Sequence, residues 1–122
     1  MTTIDYLSQI KDIDLRIRSL EGELHDSALQ DDPEYMEELQ ARIKSDISKY
    51  KKLRIEIREQ IQQLKDNKAV ILLTEYYVRG RSWEQTAAAL EMKSVKHVRE
   101  CMHKRAIELF LKKYGKYYLS TP

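Results

Sequence analysis

Cysteine occurs once, at Cys101, so no disulfide can close within the chain, and a lone thiol fits a reducing, cytoplasmic setting. Glycine (3) and proline (2) are nearly as scarce, which together with 34% charged residues fits a largely helical, soluble protein. No apolar run approaches the roughly 20 residues needed to cross a bilayer, so no membrane partner is expected. Residues 1–14 have neither a basic start nor an apolar centre, and no export signal is expected there. A glycine-rich phosphate loop, a nucleophile elbow and a His-Glu-x-x-His pair are all missing, which excludes the common enzyme motifs and leads us to expect no enzyme. His97, Cys101 and His103 crowd one stretch. On a helix only the first two lie one turn apart, and no fourth ligand is evident, so neither a metal nor another cofactor is expected.

What the chain does have is amphipathic periodicity and an uneven charge. Its 122 residues suffice for one ordinary domain or two small ones. Residues 1–65 hold 11 Lys/Arg against 14 Asp/Glu, a net of −3, whereas residues 66–122 hold 11 against 6, a net of +5. A basic half is the usual footprint of phosphate contact, although a solvated surface carries such an excess too.

In the first half Thr3 can cap a helix along which Tyr6, Ile10, Ile13, Ile17, Leu20 and Leu24 recur in steps of four and three, a heptad seam. Gly22 weakens it, and the helix is expected to end near Ser27, with a loop over 26–32. Asp32-Pro33-Glu34 restarts a helix: Asp caps, Pro occupies the first turn and Glu favours its positive end. From there to about Lys65 the stripe Met36, Leu39, Ile43, Ile47, Tyr50, Leu53, Ile57, Ile61 and Leu64 is unbroken by Gly or Pro. At about 1.5 Å per residue this helix is ~48 Å long and outreaches the first, at ~35 Å. Its surplus must be covered by the C-terminal half or by a second copy of the chain. We therefore expect an antiparallel, coiled-coil-like hairpin over 1–65 that dimerises through Ile10, Ile13, Ile17, Leu20, Leu39, Ile43, Ile47, Tyr50 and Ile57. Ile55 lies off the stripe and suggests a second contact face.

Residues 66–114 read as a small domain and 115–122 as a tail. Asp66-Asn67 caps a densely apolar helix (Ala69, Val70, Leu72, Leu73, Tyr76, Tyr77) that Gly80 ends in the left-handed position. Arg79 and Arg81 flank that end and are candidate phosphate contacts, or simply solvated cations. Ser82 and Gln85 form a capping box for the next helix, whose inner face holds Thr86, Ala87 and Leu90. Trp83, at its start, is expected in the core rather than free to stack on a base. Glu91-Met92-Lys93 makes a turn and Ser94 caps a further helix with Val95, Val98, Met102, Ala106 and Leu109 inside. Lys96, Glu100, His103 and Lys104 point away from that side. Ile107 and Leu111 would also point outward and need a cover. Two helices joined so tightly outline a helix-turn-helix, whose second helix enters the DNA major groove; a plain helical hairpin is the alternative. The last residues mix Lys112, Lys113 and Lys116 with Tyr114, Tyr117 and Tyr118, a stretch able to follow a phosphate backbone or to fray.

The run DNKAVILLTEYYVRGRSWEQTAAALEMKSVKHV, followed by HKRAIELF, resembles the DNA-binding fourth region of bacterial RNA polymerase sigma factors. It is more similar still to the small sigma-like regulators of phages and prophages, the ArpU/RinA-like late-transcription family, in which a helical N-terminal segment often opens with a run like DYLSQIKDIDLRI (5–17 here). The likeness covers nearly the whole chain and is strongest over 72–90. It implies a sigma-like transcription regulator of phage or mobile-element origin that binds double-stranded DNA and contacts RNA polymerase; the all-α class rests on the periodicity, and the homodimer on the surplus stripe of the long helix. Carried over by position, Ser94, Lys96, His97, Arg99, Glu100, His103 and Lys104 become the candidate DNA contacts. Two departures stand out. Glu91 holds the turn position where Gly is usual, and Val98 falls one place late, so an extra residue sits in the turn or early in the helix. Two other readings stay open at this point: a coiled-coil adaptor that holds polymerase or an acidic partner without reading DNA, and a DNA-packaging recognition subunit.

Overall fold

The computed structural model describes residues 1–27 and 32–118; positions 28–31 of the expected loop and 119–122 of the expected tail lie outside it. Among the described residues the regular elements are helices: α1 (Thr3–Ser27), α2 (Pro33–Gln62), α3 (Asn67–Leu73), α4 (Trp83–Ala89), α5 (Val95–His97) and α6 (His103–Tyr118). A five-residue π turn, Thr74–Val78, extends α3, and a second, Val98–Met102, joins α5 to α6 into one continuous helical segment. The all-α class and the long N-terminal helical pair are as expected from the periodicity. The grouping of residues is not the expected split at residue 65. One compact unit consists of Met1–Lys11 with Ile57–Pro122, the other of Asp12–Glu56.

The 12–56 unit is an antiparallel pair. Ile13, Ile17 and Leu20 of α1 and Met36, Ile43 and Ile47 of α2 are buried. Arg54 Nε donates to Asp14 Oδ1 at 2.9 Å across the pair. The start of α2 is built as its sequence requires: Asp32 Oδ1 accepts from the Tyr35 amide at 3.1 Å, with Pro33 first in the helix. Leu24, Leu39, Tyr50 and Leu53 are only half-buried, because one facing helix covers a side chain from one direction.

In the other unit the cap of α1 is Thr2 rather than Thr3: its Oγ1 accepts from the Asp5 amide at 3.0 Å while Asp5 Oδ2 accepts from the Thr2 amide at 3.3 Å. Thr3 lies inside the helix and is fully buried. The surplus of α2 is covered within the chain: Ile57, Ile61 and Leu64 join a core with Leu7, Ile10, Leu72, Leu73, Val98 and Phe110. The C-terminus of α2 has no cation in its last turn, and α6 supplies one. Lys113 Nζ donates to the Gln63 carbonyl at 2.7 Å and Tyr114 Oη to the Gln60 carbonyl at 2.9 Å, satisfying carbonyls that a helix end leaves open. Lys113 and Tyr114 are thus engaged on α2 rather than left to fray.

This arrangement corrects the expected oligomerisation face. Ile10, Ile13, Ile17, Leu20, Ile43, Ile47 and Ile57 are all buried within the single chain, and only Leu39 and Tyr50 keep partial exposure. The heptad seam meets its complement in the same molecule.

The second π turn changes which residues face inward after Val98. A π turn spends one residue more per turn than an α-helix, so every later side chain is rotated relative to a straight helix. The buried positions therefore run Val98, Ala106, Ile107 and Phe110, with Leu109 only half-buried. Phe110, absent from the straight-helix reading, is fully buried against Tyr6 (ring centroids 5.9 Å) and Tyr114 (4.8 Å). Ile107, expected outside and in need of a cover, is buried for the same reason.

Candidate nucleic-acid interface

The cationic segment is oriented by two short elements and two left-handed residues. At Gly80 (φ +65°) the first π turn ends, with the Arg79 amide on the Thr74 carbonyl and the Arg81 amide on the Glu75 carbonyl, both at 2.9 Å. Ser82 then caps α4 in a reciprocal box: Ser82 Oγ accepts from the Gln85 amide at 3.1 Å and Gln85 Oε1 from the Ser82 amide at 3.0 Å. Thr86 and Ala87 form the buried face of α4, and Ala87, with no side chain beyond Cβ, permits a close crossing. The helix ends in a Schellman motif: the Met92 amide reaches the Ala87 carbonyl (2.9 Å) and the Glu91 amide the Ala88 carbonyl (3.0 Å). Glu91 is left-handed there (φ +56°), where an L side chain costs roughly 1–2 kcal/mol. Ser94 Oγ accepts from the His97 amide at 3.1 Å and starts the next helical segment.

Along that segment Ser94, Lys96, His97, Arg99, Glu100 and Lys104 are exposed, as are Lys93 and Arg105, which the sequence reading passed over. Lys93 belongs to the turn before the helix, and on a straight helix Arg105 stands about 100° round from Lys104. Arg99 and Glu100 lie 3.8 Å apart, too loose to withdraw either from solvent. Arg105 Nε lies 3.8 Å from Asp66 Oδ2, the carboxylate whose other oxygen caps α3 through the Ala69 amide at 3.1 Å.

The expected pair Arg79 and Arg81 is not an open clamp. Arg79 Nη1 donates to both carboxylate oxygens of Glu75, at 2.8 and 3.2 Å, and Arg81 is half-buried. His103 departs further from expectation. Instead of standing outward it turns into an aromatic cluster, because the π turn before it rotates it inward. Its Nε2 lies 2.6 Å from Tyr77 Oη, and its ring sits 5.0 Å from Trp83 and 6.1 Å from Tyr76, centroid to centroid. Trp83 in turn stacks on Tyr76 at 3.9 Å, the packing role expected for it. Burial lowers the His103 pKa from 6.5 and so favours the neutral ring. Burial, and then the neighbouring Tyr76, push the Tyr77 hydroxyl above its usual range, so it keeps its proton. A protonated phenol can donate to Nε2 or accept from it, so the 2.6 Å bond forms with either tautomer of the neutral ring.

A cleft of about 360 Å³ opens beside the segment, lined by apolar Leu72, Met92 and Met102 and by the cations Lys68 and Arg105. Among the described residues no three His, Cys, Asp or Glu side chains are placed to share a metal ion, and no helix is long and apolar enough to cross a membrane. Chemically, the segment presents exposed cations and hydrogen-bonding side chains, a set that can neutralise phosphates and reach base edges. No protein-family model, curated protein or solved structure matches this chain.

Proposed function

We propose that this chain is a sequence-specific, DNA-binding transcription regulator that reads duplex DNA with the segment from Ser94 to Lys104. The observation that supports it best is the joint exposure of Lys96, His97, Arg99, Glu100 and Lys104 on a helical segment held at a capped, Schellman-closed turn from α4. Such a helix can lie in a major groove, with Lys and Arg taking guanine edges or phosphates and Glu100 accepting from cytosine. Lys93 and Arg105 extend the phosphate-contacting set. The sequence resemblance to sigma-like phage regulators favours a cytoplasmic site of action and contact with RNA polymerase. Pairing of two readers on a two-fold axis remains part of this proposal. It must use surface other than the buried seam, such as the exposed Leu15, Tyr35 and Ile55.

Binding to duplex DNA across a salt series tests the reading. A reader making five phosphate contacts gives a log–log slope of about −4.5 and prefers some sequences over random duplex. Lys96→Ala combined with Arg99→Ala is expected to abolish the preference; unchanged selectivity removes this segment from the site. Sedimentation at micromolar concentration that finds only 14.5 kDa material counts against the dimer.

The second reading, a protein adaptor, is favoured by the largely apolar cleft, along which Lys68 and Arg105 outnumber the one carboxylate, Asp66, chemistry that suits an acidic segment carrying an apolar anchor. An adaptor would show neither the salt slope nor a sequence preference.

A further inference from the structure

We propose that His103 is a positioning residue of the reader: pinned by the Tyr77 hydroxyl, it holds the extra residue of the helix at Val98–Met102 and so sets the direction in which Arg99 and Glu100 face. This deepens the DNA-reading proposal and rests on it for its functional consequence. Two bonds of one residue carry the argument. The His103 amide donates to the Val98 carbonyl, five residues back, and thereby closes the π turn. The His103 ring is held at Tyr77 Oη, 2.6 Å away. Tyr77 itself belongs to the other π turn, Thr74–Val78, whose closing amide is that of Arg79. The two places where the chain carries a surplus residue are therefore tied to each other by one hydrogen bond.

A surplus residue in a helix can occupy neighbouring turns at similar cost, because each position trades one i→i−4 bond pattern for the same i→i−5 pattern. Moving it by one place rotates the residues it passes by about 100°. Arg99 and Glu100 lie inside the turn and would be redirected, whereas Lys96 before it would not. Burial of Val98 marks one end of the turn and the Tyr77 bond marks the other. Among the described residues, that bond is the side-chain hydrogen bond fixing the second end.

The ring is also poorly placed to accept a charge. The groups facing it from neighbouring elements are the phenols of Tyr76 and Tyr77 in the first π turn and the indole of Trp83 in α4. The charged residues nearest in sequence, Glu100, Lys104 and Arg105, are exposed, as is Arg99. Protonation makes Nε2 a donor to the phenol oxygen and sets a positive charge in this half-buried cluster, at a desolvation cost that loosens the contact. Trp83, the one tryptophan of the chain, reports on this directly, since a protonated imidazole quenches a neighbouring indole.

The test uses the full chain, its backbone amides resolved by NMR and its affinity measured for a selected duplex and for random duplex. Tyr77→Phe keeps the ring and removes the hydroxyl. It is expected to shift the amide resonances over 98–103 and to lower the preference for the selected duplex by about tenfold, the scale of one base contact, with random-duplex affinity unchanged. His103→Ala should do the same. His103→Gln restores an acceptor and should rescue the preference. In the unsubstituted protein, lowering the pH through 6.5 and below should quench Trp83 and shift the same amides, and His103→Gln should abolish both changes. The proposal is overturned if Tyr77→Phe leaves the 98–103 amides in place, or if selected and random duplexes lose affinity equally. Should the unsubstituted protein show no preference between duplexes, the DNA reading fails; the amide and Trp83 responses still decide whether His103 holds the turn.

Discussion

The 12–56 hairpin and the unit formed by Met1–Lys11 with Ile57–Pro122 use the same aliphatic residues but bury them differently. In the hairpin the deepest core side chain, Leu20, keeps 2% exposure and Ile47 keeps 9%, while Leu15 and Ile55 stand more than half exposed. In the other unit Leu7, Ile57, Ile61, Leu72, Leu73, Val98 and Phe110 all reach 0%. Two helices can enclose a seam only from two sides, whereas a side chain ringed by α1, α2, α3 and α6 is enclosed all round. The polar links differ in parallel. The hairpin is tied by Arg54 and Asp14, each about a third exposed. The other unit ties helix ends with Lys113, Tyr114 and Asp66, and the two π turns with Tyr77 and His103. The more deeply buried side chains and most of these ties lie in the unit that carries the cationic segment.

Leu72→Ala should break that contrast most forcefully, costing toward the upper end of about 2–5 kcal/mol in denaturant unfolding, against the lower end of that range for Leu20→Ala in the hairpin. Equal losses at the two sites would mean the two cores are not of different quality. Next come the two left-handed turn residues. Gly80→Ala should destabilise by about 1–2 kcal/mol, and Glu91→Gly should stabilise by a similar or smaller amount, because the first introduces the Cβ clash that the second relieves. A stabilising Gly80→Ala would show that this turn changes conformation freely.

A smaller effect is expected on acidification. With its pKa lowered by burial, His103 contributes stability that is fully present above 6.5, where both states are neutral. As pH falls below 6.5 the unfolded chain takes up the proton first, so this contribution declines until pH passes the lower folded value. Unfolding midpoints measured above and below 6.5 should show the decline, and His103→Gln should flatten it. Smallest of all is Arg54→Ala, a loss of about 0.2–1 kcal/mol in the same unfolding assay, since the pair is partly solvated.

The features readable in advance were those set by near neighbours. Asp66, Ser82 with Gln85, and Ser94 each cap where their spacing indicated, and Gly80 and Glu91 are the left-handed residues. The surplus residue after Val98 was not readable: it can widen a turn or enter the helix, and the local pattern is alike in both. Of the candidate site, Lys96, His97, Arg99, Glu100 and Lys104 stand exposed as expected, Ser94 is exposed and also serves as the cap, and His103 and Arg79 are engaged elsewhere.

By itself the sequence determined the helices, most of their N-terminal caps and the two amphipathic stripes, because caps and periodicity act over three or four residues. Tertiary structure decided what covers each stripe. It turned Ile57 and Ile61 toward the C-terminal elements instead of a second copy, and it placed the surplus residue after Val98, so that Phe110 and His103 face inward. The physical reason is that a helix can rotate its later residues at little local cost, and only the partners waiting on each side, Tyr6 for Phe110 and Tyr77 for His103, make one rotation better than another.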